Sequence, residues 1–287
     1  MSSIAYITDS KLLDNHRLNQ NKQINFWRLS TKTNFSDFGE DDLVFFLSKD
    51  KRHLSVNKEK GIVGFGKLKS VNIGSPKAMW KKFDRLNGYN SYEKFVAAIE
   101  KVNLNELPDK ISSFYLEDVT FFQNPIYLSE CGMKISKNIE SYIYLDDEAT
   151  FKLLEYSKNN CDIWSSNSHH EERIVEEEIG LALSMSFKKI KDPNIDRSKK
   201  VKARKAMQNY IKENSGFSFI RGSSLSVYHA YDRYISITFY KDKDIDLKSL
   251  IGSAILYRKY LATYYPHPLT IIFNTTDKDE EFDEIIN

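Results

Sequence analysis

Cysteine is nearly absent: Cys131 and Cys161 are the two in 287 residues, and they have neither metal-ligand spacing nor the density of a disulfide scaffold. That excludes a small domain stapled by disulfides and a zinc site built on paired cysteines. No apolar run is long enough to span a bilayer, and the start Met1-Ser2-Ser3-Ile4 lacks the basic and apolar regions of a signal peptide. The expectation is a soluble cytoplasmic protein with no membrane partner. Neither sign of charge dominates, because 42 Lys+Arg stand against 40 Asp+Glu for a formal charge of +2. Only regional clusters can then attract a polyanion. Internal repeats and low-complexity tracts are also lacking, which excludes a repeat array.

What is present is 41% hydrophobic residues, enough for a sizeable core in each of two domains. β-branched and aromatic runs bounded by Gly, Asn, Asp or Pro predict strands over residues 4–7, 25–29, 43–48, 62–71, 121–128 and 142–145. Ser75 before Pro76, and Ser91 before Glu93, start two inserted helices that reach residues 83 and 99. The run Gly61-Ile62-Val63-Gly64-Phe65-Gly66 carries glycines that let another chain or a ligand approach the backbone. Together with Phe26-Trp27-Arg28-Leu29-Ser30 and Asp42-Leu43-Val44-Phe45-Phe46, it describes a small barrel with an aromatic mouth. Such a barrel is a binding module and not a catalytic loop.

The composition changes at Asp146, dividing the chain into domains 1–146 and 147–287. Helical periodicity covers residues 148–158, 171–185 and 204–214, followed by strands 217–220 and 234–240, a helix 247–264, a strand 269–273 and an acidic, frayed tail. This half is α/β in character. Between Lys188 and Lys212, cations such as Arg197, Lys199, Lys200, Lys202, Arg204 and Lys205 face only Asp192 and Asp196. Such a segment suits a phosphate backbone, or else a solvated linker and helix. His169-His170-Glu171-Glu172 contains metal-ligating residue types, but adjacent positions at a helix start point in different directions. An acidic first turn complementing the helix dipole is expected there, and no metal.

The ordered series Trp27-Arg28, Asp42 to Phe46, Gly61 to Gly66, Ala78-Met79-Trp80-Lys81-Lys82-Phe83, Asn87-Gly88 and Pro125-Ile126-Tyr127-Leu128 resembles PUA-superfamily domains of the EVE, ASCH and YTH-like kind. It is similar to the version that precedes the nuclease domain in HNH-type, modification-dependent restriction endonucleases, and it covers about half of the chain. The resemblance implies an α+β protein: an N-terminal PUA-like β-barrel with a helical insert, then a helical segment and a C-terminal α/β module. It also implies a reader of restriction or defence type that accepts a modified or flipped base of DNA, with RNA as the other substrate class. An extruded base needs aromatic faces and polar edges. Trp27, Phe46, Trp80 and Tyr89 would stack on it, Ser30, Ser48 and Asn87 would read its edge, and Arg28, Lys49 and Arg52 would hold phosphates on the rim, joined by Lys199, Lys202, Arg204 and Lys205. The same aromatics equally suit a core, and the rim lysines a solvated hairpin loop.

Residues 234–240, 249–260 and 269–273 resemble the latter part of a PD-(D/E)xK nuclease core. That chemistry needs carboxylates for a divalent metal and a lysine near the activated water. Here the acid and lysine positions fall on Ser236 and Thr238, and Ser224 and Ser226 precede them. The expectation is a module without that activity and without cofactor, one that forms a homodimer or docks a nuclease or other defence partner. The alternatives are an endonuclease with a divergent Mg2+ or Mn2+ site at Asp232 and His229, and a regulatory protein-interaction module.

Overall fold

The computed structural model describes residues 3–31, 35, 38–133, 139, 141–158, 160–161, 170–231, 234–243, 245–265 and 268–275. The chain is α+β, and its internal contacts divide it into two compact units, Met1–Ile174 and Val175–Asn287.

In the first unit, strands β1 (Ser3–Thr8), β2 (Ile24–Arg28), β3 (Leu43–Ser48), β4 (Ile62–Gly74), β5 (Ile111–Ile126) and β6 (Tyr142–Leu145) form one sheet in the order β2-β5-β4-β3-β1-β6. The β1–β3 pairing is parallel and the others are antiparallel. The β4–β5 ladder shifts register at Ile62/Gly64, Phe65/Lys67 and Leu68/Ser70. Each shift bends the strands and adds twist. At Gly64 the Thr120 carbonyl comes so close that a Cβ would lie 2.4 Å from it. The glycine run therefore serves the approach of β5 itself.

The bends bring β2, at one edge, across to β1, fifth in the order, where the Tyr6 and Phe26 ring centroids are 5.1 Å apart. The sheet thus curls around a core that includes Ile4, Phe26, Val44, Phe46, Phe114 and Phe121. Full burial of each such side chain stabilises the fold by about 1.5–3 kcal/mol. This is the barrel anticipated from the strand pattern.

Helix α1 (Ser10–Leu18), capped by Asp9, was not anticipated. The inserted α2 (Pro76–Phe83) and α3 (Tyr92–Val102) were, and their Ser75 and Ser91 side chains accept from the Ala78 and Lys94 amides as N-caps should. Helix α4 (Asp147–Ser157), capped by Asp146, packs against β5, so the division between units lies beyond residue 146.

The second unit contains most of α5 (His170–Ile190), then α6 (Arg197–Glu213), β7 (Ser218–Phe219), β8 (Ser226–Ala230), β9 (Ile235–Lys241), α7 (Leu247–Leu261) and β10 (Leu269–Thr275), with sheet order β10-β9-β8-β7. Strands β9 and β10 are parallel and joined through α7, and the other pairs are antiparallel. Alternate residues of β9 face opposite sides. Thr238 meets Tyr210 of α6 on one side, and Phe239 meets Tyr257 of α7 on the other. Helices therefore cover both faces; the expected strands 217–220 and 234–240, helix and final strand are present as β7, β9, α7 and β10, and β8 between the first two was not anticipated. Among the described residues, no helix is long and apolar enough to cross a membrane.

Candidate nucleic-acid interface

Alternation along β2 sends Phe26 and Arg28 into the barrel and turns Trp27 outward against the helical insert. There Trp27, Trp80 and Tyr89 do come together, but around Phe95, at centroid distances of 5.9, 5.7 and 6.0 Å. Phe95 is fully buried among these three rings. With Met79, Phe83, Ile99 and Ile111 these rings form a second apolar core that fastens α2 and α3 to the sheet. Burial, reinforced by the Asp9 charge, pushes the Tyr89 hydroxyl up to about 12.

The residues expected to read a base edge are engaged elsewhere. Asn87 accepts from the Asn25 amide at 2.8 Å and donates to the Asp84 and Met79 carbonyls, so it ties the turn after α2 to β2. Ser48 is buried, with its hydroxyl 2.9 Å from His53 Nδ1 and accepting from the Asp50 amide. Phe46 is a core residue lying 6.0 Å from Phe121. On the rim, Lys49 is exposed, whereas Arg52 donates to Asp50 and Asp14 and holds the Asp50 carboxyl at about 2.

Arg28, expected on the rim, is instead drawn inside and is 6% exposed. Its guanidinium lies 4.4 Å from the Phe114 ring centroid and 4.9 Å from that of Phe35, while Nε donates to Ser112 Oγ at 2.8 Å. Ser112 in turn donates to the carbonyl of Ser30, whose residue is exposed. Tyr6 stacks on Tyr142 at 5.8 Å, and the half-exposed Tyr144 meets Tyr142 edge-on at 5.6 Å. Burial pushes the arginine pKa down, opposed by the Tyr6 and Tyr142 hydroxyls, yet a guanidinium stays charged. The guanidinium is thus an internal part of the barrel, held by Ser112 and covered by aromatic faces. Sequence spacing held no signal for this cluster, because Tyr6, Arg28, Phe114 and Tyr142 come from four strands.

In the second unit, α6 begins at Arg197 under an Asp196 cap, seven residues ahead of the expected 204, so the basic run is helical. Lys202 lies 3.1 Å from the buried Asp242, Arg204 sits 4.8 Å over the Phe219 ring, and Lys199 is 3.8 Å from Asp196. Lys205 and Lys212 are exposed. Seven cations of this helix, Arg197, Lys199, Lys200, Lys202, Arg204, Lys205 and Lys212, face one acid, Glu213.

Ser236 and Thr238 are buried on one face of β9, opposite His229 and Val227 of β8. Neither supplies a carboxylate. His229 packs between Phe217 at 5.3 Å and Tyr231 at 4.0 Å. Asp232 lies outside the described residues, as do His169 and Asp244. Among the described residues, no group of three or more His, Cys, Asp or Glu could hold a metal ion. A surface depression lined by Asn21, Lys22, Leu86, Glu117 and Asp118 collects none of the anticipated site residues.

Barrel and helical sheet together define a two-unit α+β protein with a cationic aromatic cluster in one unit and a basic helix in the other. No family model matches the chain, and no curated protein matches it. Among solved structures, the ASCH protein from Zymomonas mobilis is similar at 13% identity and a TM-score of 0.37, over 53% of this chain and 94% of that one. Two mutant forms of the same protein give TM-scores of 0.38 and 0.39 at 14% and 13% identity, each over 96% of its own length and 53% and 54% of this chain.

Proposed function

We propose that this is a nucleic-acid-binding protein, with α6 holding the phosphate backbone. The observation that carries the reading is the excess of cations on α6, because ammonium and guanidinium groups on one helix match a run of phosphates and release its counterions. The finer reading is recognition of a modified or flipped base in DNA, in a protein of restriction or defence type. The half-exposed Tyr144 ring, edge-on to Tyr142, supports it, since an extruded base requires an aromatic face to stack on.

The test is a titration with single- and double-stranded oligonucleotides carrying plain, methylated or hydroxymethylated cytosine. Tyr144→Ala is the informative variant, because its ring is half-exposed and its loss leaves the core intact. The expected result is preference for a modified strand in the wild type, falling about 5-fold or more in the variant, the scale of one base–aromatic stack. Equal binding of plain and modified strands by the wild type would remove the modified-base reading. Binding to neither at low salt would remove the function.

A further inference from the structure

Helix α6 turns one charged face to solvent. Arg197, Val201, Lys205 and Lys212 follow one another at i, i+4, i+8 and i+15, all four are exposed, and Ala203 and Met207 are buried on the opposite side. Val201 is 63% exposed, an apolar side chain with a cation one turn before it and another one turn after. A ligand that matches this face carries acids and apolar groups together.

The chain itself contains such a segment. Between residues 277 and 284, Asp277, Asp279, Glu280, Glu281, Asp283 and Glu284 stand against Lys278, and Phe282 lies in their midst. These residues are outside the described ones, but the point from which they depart is defined. Strand β10 ends at Thr275, which pairs with Lys241 at the end of β9. The residue after Lys241 is Asp242, which accepts from Lys202 of α6 at 3.1 Å. Paired strands lie about 4.8 Å apart, so the chain leaves the sheet about one strand spacing from the place where α6 meets it. Tyr210 meets Thr238 while Lys202 meets Asp242, so α6 runs back along β9 and its Arg197 end lies at the same end of the sheet as the last residue of β10. An extended segment from 276 to 287 spans about 40 Å and the 17 residues of α6 span about 26 Å, so the whole helix is within its reach.

We propose that the acidic segment 277–284 docks along the exposed face of α6 and competes there with nucleic acid. Its carboxylates take the place of phosphates on Arg197, Lys205 and Lys212, and Phe282 covers Val201. The inference rests on the nucleic-acid reading of α6 and adds a regulation of that same site. A tethered segment is held at high local concentration, so a nucleic acid must displace it before the helix can be used.

Two measurements on the full chain test this. Carbodiimide coupling joins a carboxylate to an amine in contact with it, and peptide mass spectrometry is expected to find residues 277–284 linked to Lys205 and Lys212. Links from the segment confined to lysines outside α6, such as Lys243 near the end of β10, or no links at all, would overturn the inference. For the second measurement Glu280→Gln, Glu281→Gln, Asp283→Asn and Glu284→Gln are combined, and fluorescence anisotropy compares this variant with the wild type on a labelled duplex. The variant is expected to bind about 5-fold or more tightly at about 50 mM salt, the scale of coupling between two ligands of one protein, and within about 2-fold of the wild type at about 0.5 M, where exposed charges are screened. Equal affinities at the lower salt would overturn the inference and leave the nucleic-acid reading standing. Binding by neither protein would overturn that reading and the competition with it.

Discussion

His16 is a buried imidazole whose Nδ1 lies 3.0 Å from the Asn21 side-chain amide and whose Nε2 finds no hydrogen-bond partner among the described residues. Burial pushes its pKa from 6.5 down to about 4. The unfolded chain therefore binds this proton first as pH falls, and protonation favours unfolding. Stability from this residue is complete above about pH 6.5 and is lost progressively towards pH 4, by on the order of 3 kcal/mol. Urea midpoints measured across that window should fall with pH in the wild type and fall less steeply in His16→Gln; parallel slopes would assign the effect to other groups. Trp27 belongs to the same scale. Its contact with Phe95 in the second core means that Trp27→Ala should cost about 2–4 kcal/mol in denaturant unfolding. A loss below about 0.5 kcal/mol would show that the indole is surface and available for stacking. In sequence Trp27 is expected in a pocket and Arg28 on its rim, whereas the structure packs Trp27 against the helical insert and draws Arg28 inside. Adjacent strand residues face opposite sides, and only the curl of the sheet determines which side becomes the interior.

Helices with local signals were the most legible elements. Ser75 with Pro76, Ser91 and Asp146 each satisfy free backbone amides within three residues, so their signal is contained in a short window. Strand β5 was not legible over its first ten residues. Ile111, Ser112, Ser113 and Phe114 are all buried, so the alternation that marks a half-buried strand is absent. Helix α6 was read as starting late because its first two turns are nearly all charged; Asp196 supplies the cap, and Ala203 and Met207 the buried stripe. The junction of α6 with the end of β9 supports a further prediction. Asp242 is 4% exposed and accepts from Lys202 at 3.1 Å and from the Tyr240 hydroxyl at 3.2 Å. Asp242→Asn keeps the shape and removes the charge, and should destabilise the protein by about 1–3 kcal/mol in thermal or denaturant unfolding. An unchanged midpoint would mean that this carboxylate contributes nothing to joining helix and strand.

At the scale of the whole molecule the formal charge of +2 hides a strongly basic helix. If α6 carries phosphate contacts, the observed affinity for duplex DNA should fall linearly with salt on logarithmic axes, with a slope of about −0.9 per phosphate neutralised. Lys205→Glu with Lys212→Glu should make that slope shallower by about one to two units, because both side chains are exposed and clear of the core. A slope unaltered by the double substitution would place the phosphate contacts elsewhere.

The amino-acid sequence alone determined the strand-rich first half, the capped helical insert, the α/β order of the second half and the segment in which cations concentrate. Each of these follows from side-chain periodicity, local capping or composition within a few neighbouring residues. Tertiary structure alone decided that Phe95 fills the space between Trp27, Trp80 and Tyr89, that Arg28 lies among rings from other strands, and that Tyr231 and Tyr234 stand outside the core. Those outcomes depend on bulges that bend β4 and β5 and on pairings between residues far apart in the chain, and no short window of sequence specifies either.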